Sequence, residues 1–143
     1  MATMNIAERV DPRVGTIAIR SVVVGLTLAT AAIHASLGGL MFLANAAGYT
    51  VLALAMILPG RIGQIRWLVR VALIGFAAMT IGGWVLFGTR FPLAYLDKAI
   101  EVALIGMVAL ELWRSDGGPL GVVRQARRLI ERLAGATTAR VPR

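Results

Sequence analysis

Apolar residues fill long uninterrupted runs of this chain, separated by short segments that carry arginine, glycine or proline. The longest run extends from Ser21 to Leu58, thirty-eight residues without an aspartate, glutamate, lysine or arginine. One bilayer crossing takes about 20 apolar residues, so this run is long enough for two helices. The paired glycines Gly38 and Gly39 break a helix at little cost and divide the run near its middle. The pattern therefore predicts a helical hairpin that crosses a membrane twice.

Two further apolar runs complete the pattern and predict an all-α fold, a membrane-spanning four-helix bundle. Its four predicted spans are residues 16–37, 40–58, 67–87 and 93–113. Trp67 and Trp84 fall near the two ends of the third span, where the amphipathic indole ring prefers the membrane interface. Before the first span, residues 1–15 form a predicted cytoplasmic N-terminal segment.

A basic cytoplasmic tail, residues 114–143, is predicted after the fourth span. Within it, residues 120–134 repeat apolar side chains at helical spacing and predict an amphipathic helix on the membrane interface. Four of its arginines are predicted to lie at the membrane surface and bind anionic lipid: Arg124, Arg127, Arg128 and Arg132. A solvated helix that only satisfies the positive-inside rule is the alternative, and a docking site for a partner protein is a third interpretation.

The arginines outside the predicted spans are distributed unevenly. All of them lie in the N-terminal segment, in the 59–66 connection or in the tail, except Arg90 between the third and fourth spans. Because basic residues stay on the cytoplasmic side of a membrane, both termini are expected in the cytoplasm. The predicted location is the cell membrane, which the chain crosses several times.

Composition supports the membrane prediction and excludes other classes. Hydrophobic residues make up 58% of the 143 residues, above the roughly 45–50% of a soluble domain. The net charge of +8 comes from arginines between and after the apolar runs, so lipid is its expected partner and nucleic acid is not. The chain has no cysteine, which excludes disulfides and thiol chemistry.

Polar side chains in the first and fourth spans follow helical spacing. The first span carries a polar stripe: Thr27, Thr30 and His34. The fourth span carries an acidic stripe at similar spacing: Asp97, Glu101, Leu104, Val108 and Glu111. Because ionisable groups are costly in hydrocarbon, both stripes are expected to face the interior of the bundle.

The two stripes predict a ligand- or proton-binding pocket in the outer half of the bundle. Its predicted residues, expected to approach one another, are His34, Asn45, Tyr49, Asp97, Lys98 and Glu101. Lys98 can pair with Glu101 along the helix and relieve the repulsion between two carboxylates. In the functional interpretation, His34 and one carboxylate exchange a proton or hold a polar ligand. The alternative is a structural cluster of hydrogen bonds and ion pairs.

Catalytic motifs are absent from the sequence. It contains no G-x-S-x-G, no H-E-x-x-H and no phosphate-binding glycine loop. One histidine and no cysteine cannot form a zinc site of the usual type. We therefore predict no catalytic residues, no metal site, no resident cofactor and no enzymatic activity.

Small residues in two spans form faces that favour close helix packing: Gly75, Ala78 and Gly82 in the third span, and Ala44 and Gly48 in the second. In lipid, such faces let helix backbones approach closely. We expect these residues to pack inside the bundle, and a homodimer contact through the third span is the second interpretation.

Three motifs carry a resemblance to a known group: AIH at 32–34, FLANAAGY at 42–49, and PL followed by YLDK within 92–98. The chain resembles a group of small, uncharacterised four-span membrane proteins of archaea and bacteria. The likeness extends over residues 20–112 and leaves out the basic tail. It implies four spans and singles out His34, Asp97 and Lys98, but it implies no substrate.

Three functional hypotheses follow from these patterns. The first is an accessory, regulatory or ligand-binding subunit, acting as a homodimer or in a larger membrane complex. The second is a proton- or cation-coupled carrier that uses Glu101 and His34. The third is a redox accessory protein that binds haem, quinone or copper.

Overall fold

A computed structural model describes residues 12–138, and all its helical and strand elements in that range are α-helices. In chain order they are α1 (Pro12–Leu37), α2 (Leu40–Ile57), α3 (Arg61–Gln64), α4 (Arg66–Phe87), α5 (Pro92–Asp116) and α6 (Gly118–Thr138). The prediction of an all-α fold is confirmed. The parts of the predicted terminal segments at residues 1–11 and 139–143 lie outside the described residues.

The connections fall close to the predicted positions. Gly38 and Gly39 separate α1 from α2 with φ angles of 69° and 81°, a left-handed conformation that glycine adopts without a Cβ clash. The helix predicted to end at residue 113 instead continues to Asp116. Gly117, with φ 76°, caps it in the left-handed conformation. The predicted gap between the fourth span and the tail helix, residues 114–119, is therefore reduced to Gly117. Helix α6 is longer at both ends than the predicted 120–134.

Four helices, which we call the long helices of the bundle, pack in a ring in the order α1, α2, α4, α5 and back to α1. Ion pairs fix the direction of α5: its start lies beside the end of α1, and its end lies beside the start of α1. We call the end of the bundle with the α1–α2 and α4–α5 connections the hairpin end. The opposite end, from which α6 leaves, is the tail end.

Each long helix buries one stripe of residues three or four positions apart. On α1 and α5 the stripes include Thr27, Thr30, His34, Asp97, Glu101, Leu104, Val108 and Glu111. On α2 and α4 they include Ala46, Tyr49, Ala53, Met56, Arg70, Leu73 and Ala77. The expectation that the polar stripes of the first and fourth predicted spans face inward is confirmed.

The outside of the bundle is apolar, as in a membrane protein. Among the described residues, three helical stretches are long and apolar enough to cross a membrane: Val14–Leu37, Leu40–Ile57 and Arg66–Phe87. Large side chains such as Leu40, Met41 and Phe87 are almost fully exposed. A surface of this kind requires a lipid or protein partner to cover it.

The small-residue stripe of α4 does not pack inside the bundle, so that prediction is wrong. Gly75 and Ala78 are exposed, and a Cβ built on Gly75 or Gly82 meets nothing within 4 Å. The same prediction is confirmed for Gly48 on α2, which makes a close helix contact. A Cβ there would lie 2.6 Å from the ring of Phe76 on α4. The inward face of α4 is set by Arg70, Leu73 and Ala77, and the glycines fall on the other side.

Helix α6 is joined to α5 at their shared turn. The Gln125 amide donates a hydrogen bond to Asp116 at 3.2 Å. Gly121 lies directly beside the Asp116 carbonyl, where a side chain would not fit. The apolar residues predicted to form one face of α6 differ in their exposure: Val122 is half-buried, whereas Val123 and Ile130 are exposed.

Candidate functional site

Four helices bring polar side chains to one buried site near the hairpin end, which we call the His34 cluster. It consists of Thr30 and His34 from α1, Tyr49 from α2, Thr80 from α4, and Asp97, Lys98 and Glu101 from α5. His34 is 3% exposed and Glu101 is 0% exposed. The cluster is therefore an internal feature of the bundle and lies away from its apolar exterior.

Glu101 is the centre of this hydrogen-bond network. Its Oε1 accepts from the Tyr49 hydroxyl at 2.7 Å and lies 2.8 Å from the Thr80 hydroxyl. Its Oε2 accepts from Lys98 Nζ at 2.6 Å, the pairing predicted from their spacing. The Tyr49 hydroxyl on one oxygen and the Lys98 ammonium on the other hold the carboxylate in one orientation.

Asp97 mirrors this arrangement one turn earlier on α5. Its Oδ1 accepts a hydrogen bond from Thr30, and its Oδ2 lies 2.9 Å from Lys98 Nζ. Lys98 therefore bridges the two carboxylates on one side, and its side chain keeps 11% exposure. Two carboxylates and one ammonium leave the cluster with one negative charge when His34 is neutral.

His34 lies on the other side of the two carboxylates. Its Nδ1 is 2.9 Å from the Thr30 carbonyl oxygen, which can only accept, so the Nδ1 carries the proton when the ring is neutral. The Nε2 then presents a lone pair, and the nearest carboxylate oxygen, Glu101 Oε1, is 4.0 Å away. Glu101 Oε1 already accepts from Tyr49, so the Nε2 of the neutral ring is the atom of this cluster that is left to bind a ligand.

The structure does not bring every predicted residue into the cluster. His34, Tyr49, Asp97, Lys98 and Glu101 meet there, and Tyr49 also packs against the imidazole with ring centroids 5.6 Å apart. Asn45 is the exception. Its side chain is half-buried and has no hydrogen bond or ion pair with any described residue. It lies four positions before Tyr49 on α2, but the buried stripe there runs through Ala46 instead.

Thr80 was missed by the sequence analysis. Its position in the sequence predicts an inward orientation, because Thr80 continues the spacing of Arg70, Leu73 and Ala77 along α4. A threonine in an apolar span satisfies its hydroxyl with a carbonyl of its own helix, as Thr80 does with Ala77 at 2.8 Å. Sequence alone therefore gave no reason to assign it a second partner on α5.

A second buried ionic cluster, which the sequence analysis did not predict, lies at the tail end. We call it the Arg70 cluster: Arg20, Arg70, Glu111, Asp116 and Gln125. Arg70 donates to Glu111 at 2.8 Å and to Asp116 at 2.6 Å, and its side chain is 4% exposed. Arg20 donates to the same oxygen of Glu111 at 3.1 Å.

An apolar layer separates the two clusters. It consists of fully buried side chains from all four long helices: Val23, Met56, Leu73, Leu104 and Val108. Along α5, Glu101 and Glu111 are ten residues apart, which is about 15 Å of helix. The two ionic clusters are therefore separate sites within one bundle.

The arginines predicted for the membrane surface are displayed on α6. Arg124, Arg127, Arg128 and Arg132 are all exposed. Arg127 pairs with Glu131 at 2.8 Å, and Arg124 donates to a carbonyl of its own helix. These contacts leave the four guanidinium groups accessible from outside the bundle.

Comparisons with other proteins add no name to this site. The chain matches no protein-family model, no curated protein and no solved structure. The resemblance to small four-span proteins therefore stays a prediction, and the function is argued from the site alone.

Proposed function

We propose that this chain is a small membrane protein that crosses the bilayer four times and acts as an accessory, regulatory or ligand-binding subunit. Its binding site is the His34 cluster, in the half of the bundle away from the cytoplasm. The observation that carries the proposal is the convergence of three buried ionisable side chains, His34, Asp97 and Glu101, whose ligand atoms lie within 4.8 Å of one another. Ionisable groups at membrane depth are costly and mark candidate functional sites, and a neutral His34 presents its Nε2 lone pair to a ligand.

The proposal includes α5 as the fourth span. This helix carries six charged residues, more than the three clearly apolar helices. Its buried acids Asp97, Glu101 and Glu111 all have cationic partners inside the bundle. The surface that α5 presents outward includes Leu96, Val102 and Leu110. An ion-paired interior and an apolar exterior make the crossing compatible with hydrocarbon.

The carrier hypothesis has less support. Passage of protons or cations requires a polar route along the bundle, and the apolar layer interrupts the one between the two clusters. We therefore base the proposal on binding. For partners, the exposed arginines of α6 fit anionic lipid on the cytoplasmic leaflet. The exposed Gly75 and Ala78 fit a homodimer or a larger membrane complex.

Topology can be tested by single-cysteine labelling, because the chain has no cysteine of its own. Ser36→Cys and Thr89→Cys lie in or beside the connections of the hairpin end, and Gln64→Cys and Ser115→Cys lie at the tail end; all four positions are exposed. A membrane-impermeant maleimide on intact cells is expected to label the first pair and to reach the second only after lysis. Labelling of Thr89→Cys and Ser115→Cys from the same side would show that α5 does not cross.

The binding role is tested by native mass spectrometry of the chain extracted in mild detergent. Wild-type protein is expected to retain a bound small ligand that Glu101→Gln loses, because the substitution removes a charge that faces His34 Nε2. Glu131→Gln is the matched control, since the same chemical change falls on an exposed helix. Identical spectra for all three proteins would show that the cluster binds no ligand and has only a structural role.

A further inference from the structure

The side of the His34 cluster opposite Lys98 has the features of a cation site. One ligand atom each from His34, Asp97 and Glu101 lies within 4.8 Å of the other two, and all three residues are buried. The sequence analysis predicted no metal site because it counted only histidines and cysteines. It did not consider a site formed by two carboxylates and one imidazole.

We propose that His34, Asp97 and Glu101 bind a first-row divalent metal cation, and that the Lys98 ammonium is the competing cation that the metal displaces. This inference rests on the proposed function, because it names the ligand class of the same site. One nitrogen and two oxygens suit Zn²⁺, Mn²⁺ or Fe²⁺ better than Ca²⁺ or Cu⁺. Three protein ligands also leave a coordination position for water or a further ligand.

The hydrogen bonds around the three residues already have the pattern of an outer ligand shell. A metal-binding histidine normally donates its second ring N–H to a carbonyl or carboxylate, as His34 Nδ1 does to the Thr30 carbonyl. Tyr49 donates to Glu101 Oε1, and Thr30 donates to Asp97 Oδ1. These contacts fix the orientations of the imidazole and both carboxylates, with Asp97 Oδ1 3.6 Å from His34 Nδ1 and Glu101 Oε1 4.0 Å from His34 Nε2.

The spacing is slightly wider than a metal requires. Tetrahedral ligands bonded at about 2.0–2.1 Å stand roughly 3.3 Å apart. His34 Nε2 and Glu101 Oε1 are 4.0 Å apart, and the three ligand atoms lie within 4.8 Å of one another. The side chains therefore need to close by up to about 1.5 Å, which rotamer adjustments supply.

Charge explains why Lys98 has to move. The two carboxylates balance a divalent cation by themselves, and an ammonium held beside them adds a repulsive charge. Lys98 binds the outer oxygens, Glu101 Oε2 and Asp97 Oδ2, and its side chain already reaches the surface. It can therefore extend into water or the headgroups when the metal binds.

The test is calorimetric titration of Zn²⁺ into chelator-treated, full-length protein purified with a tag that contains no histidine. We expect about one Zn²⁺ per chain. Binding is expected to be lost in His34→Ala and in Glu101→Gln, and to weaken about 10–100-fold in Tyr49→Phe. Lys98→Met is expected to bind about tenfold tighter or more, because the competing charge is gone. Glu131→Gln, whose carboxylate is exposed on α6, is expected to bind as wild type does.

Two results would overturn the inference: no Zn²⁺ binding by wild-type protein, or weaker binding by Lys98→Met. Should the His34 or Glu101 variant fail to fold, the absorption spectrum of Co²⁺-loaded wild-type protein decides, since intense d–d bands report a protein-bound site of low coordination number and weak bands report hydrated Co²⁺. The native mass spectra separate this inference from the proposed function. A non-metal ligand that depends on Glu101 would leave the function standing and remove only the metal.

Discussion

Replacing Arg70 with methionine is expected to lower the free energy of unfolding by about 3–5 kcal/mol, the cost of removing one partner from a buried ion pair. Arg70 is the link between α4 and α5 at the tail end. It binds Glu111 at 2.8 Å and Asp116 at 2.6 Å, and only Arg20 offers Glu111 a second cation. The variant leaves two carboxylates without their main partner in a site from which water is largely excluded. Denaturation by SDS titration in mixed micelles measures the change.

Two further variants make the Arg70 result specific. Arg114→Met alters an exposed arginine of α5 at the same tail end of the bundle and is expected to change the free energy of unfolding by less than about 0.5 kcal/mol. The double variant Arg70→Met/Glu111→Met is expected to be more stable than Arg70→Met alone, because the carboxylate left unpaired is also removed. If the single Arg70→Met variant is as stable as wild type, Arg70 extends towards the headgroups and forms no stabilising ion pair.

The second large effect is expected from Glu101→Leu, which lowers the free energy of unfolding by about 3–5 kcal/mol while leaving membrane insertion intact. The substitution removes the acceptor of Tyr49 and Thr80 and one of the two carboxylates paired with Lys98. Glu101→Gln keeps the shape and the acceptor oxygen, so its loss is expected to be smaller. The same SDS titration compares the two variants.

The sign of the Glu101→Leu effect discriminates between two placements of the helix. A glutamate that faced lipid would be costly, and replacing it with leucine would stabilise the protein. The expected destabilisation therefore depends on the inward orientation of Glu101. Glu131→Leu, at an exposed position of α6, serves as the control and is expected to have little effect.

Helix boundaries were predictable because the apolar runs and their breakers are local signals. The turn at Gly38 and Gly39 falls where the glycine pair indicated, and Pro92 begins α5 one residue before the predicted start. The end of α5 was misplaced because Ser115 and Asp116 are compatible with either a helix end or a loop. Only Gly117 requires the left-handed backbone that stops the helix.

Which faces turn inward was predictable for α1 and α5 and only partly for the other two. Ionisable residues mark the inward face of α1 and α5 because hydrocarbon penalises any other orientation. On α4 the glycines suggested one face, but Arg70 and Thr80 lie on another, and their partners are on α5. Asn45 was misassigned because its spacing of four from Tyr49 suggested the buried face, whereas the buried stripe of α2 includes Ala46 instead. Contacts between distant segments, such as Arg70 with Asp116, have no local signal at all.

The measurement closest to the central claim is the ¹⁵N spectrum of the protein labelled at histidine, because His34 is its only histidine. Recorded in nanodiscs at about pH 8, where an ordinary imidazole is neutral, the spectrum is expected to show a proton on Nδ1 and a bare Nε2. The Nε2 signal is expected to shift in Glu101→Gln, whose changed side chain it faces. A ring protonated on Nε2, or a signal indifferent to Glu101, would contradict the binding site described here.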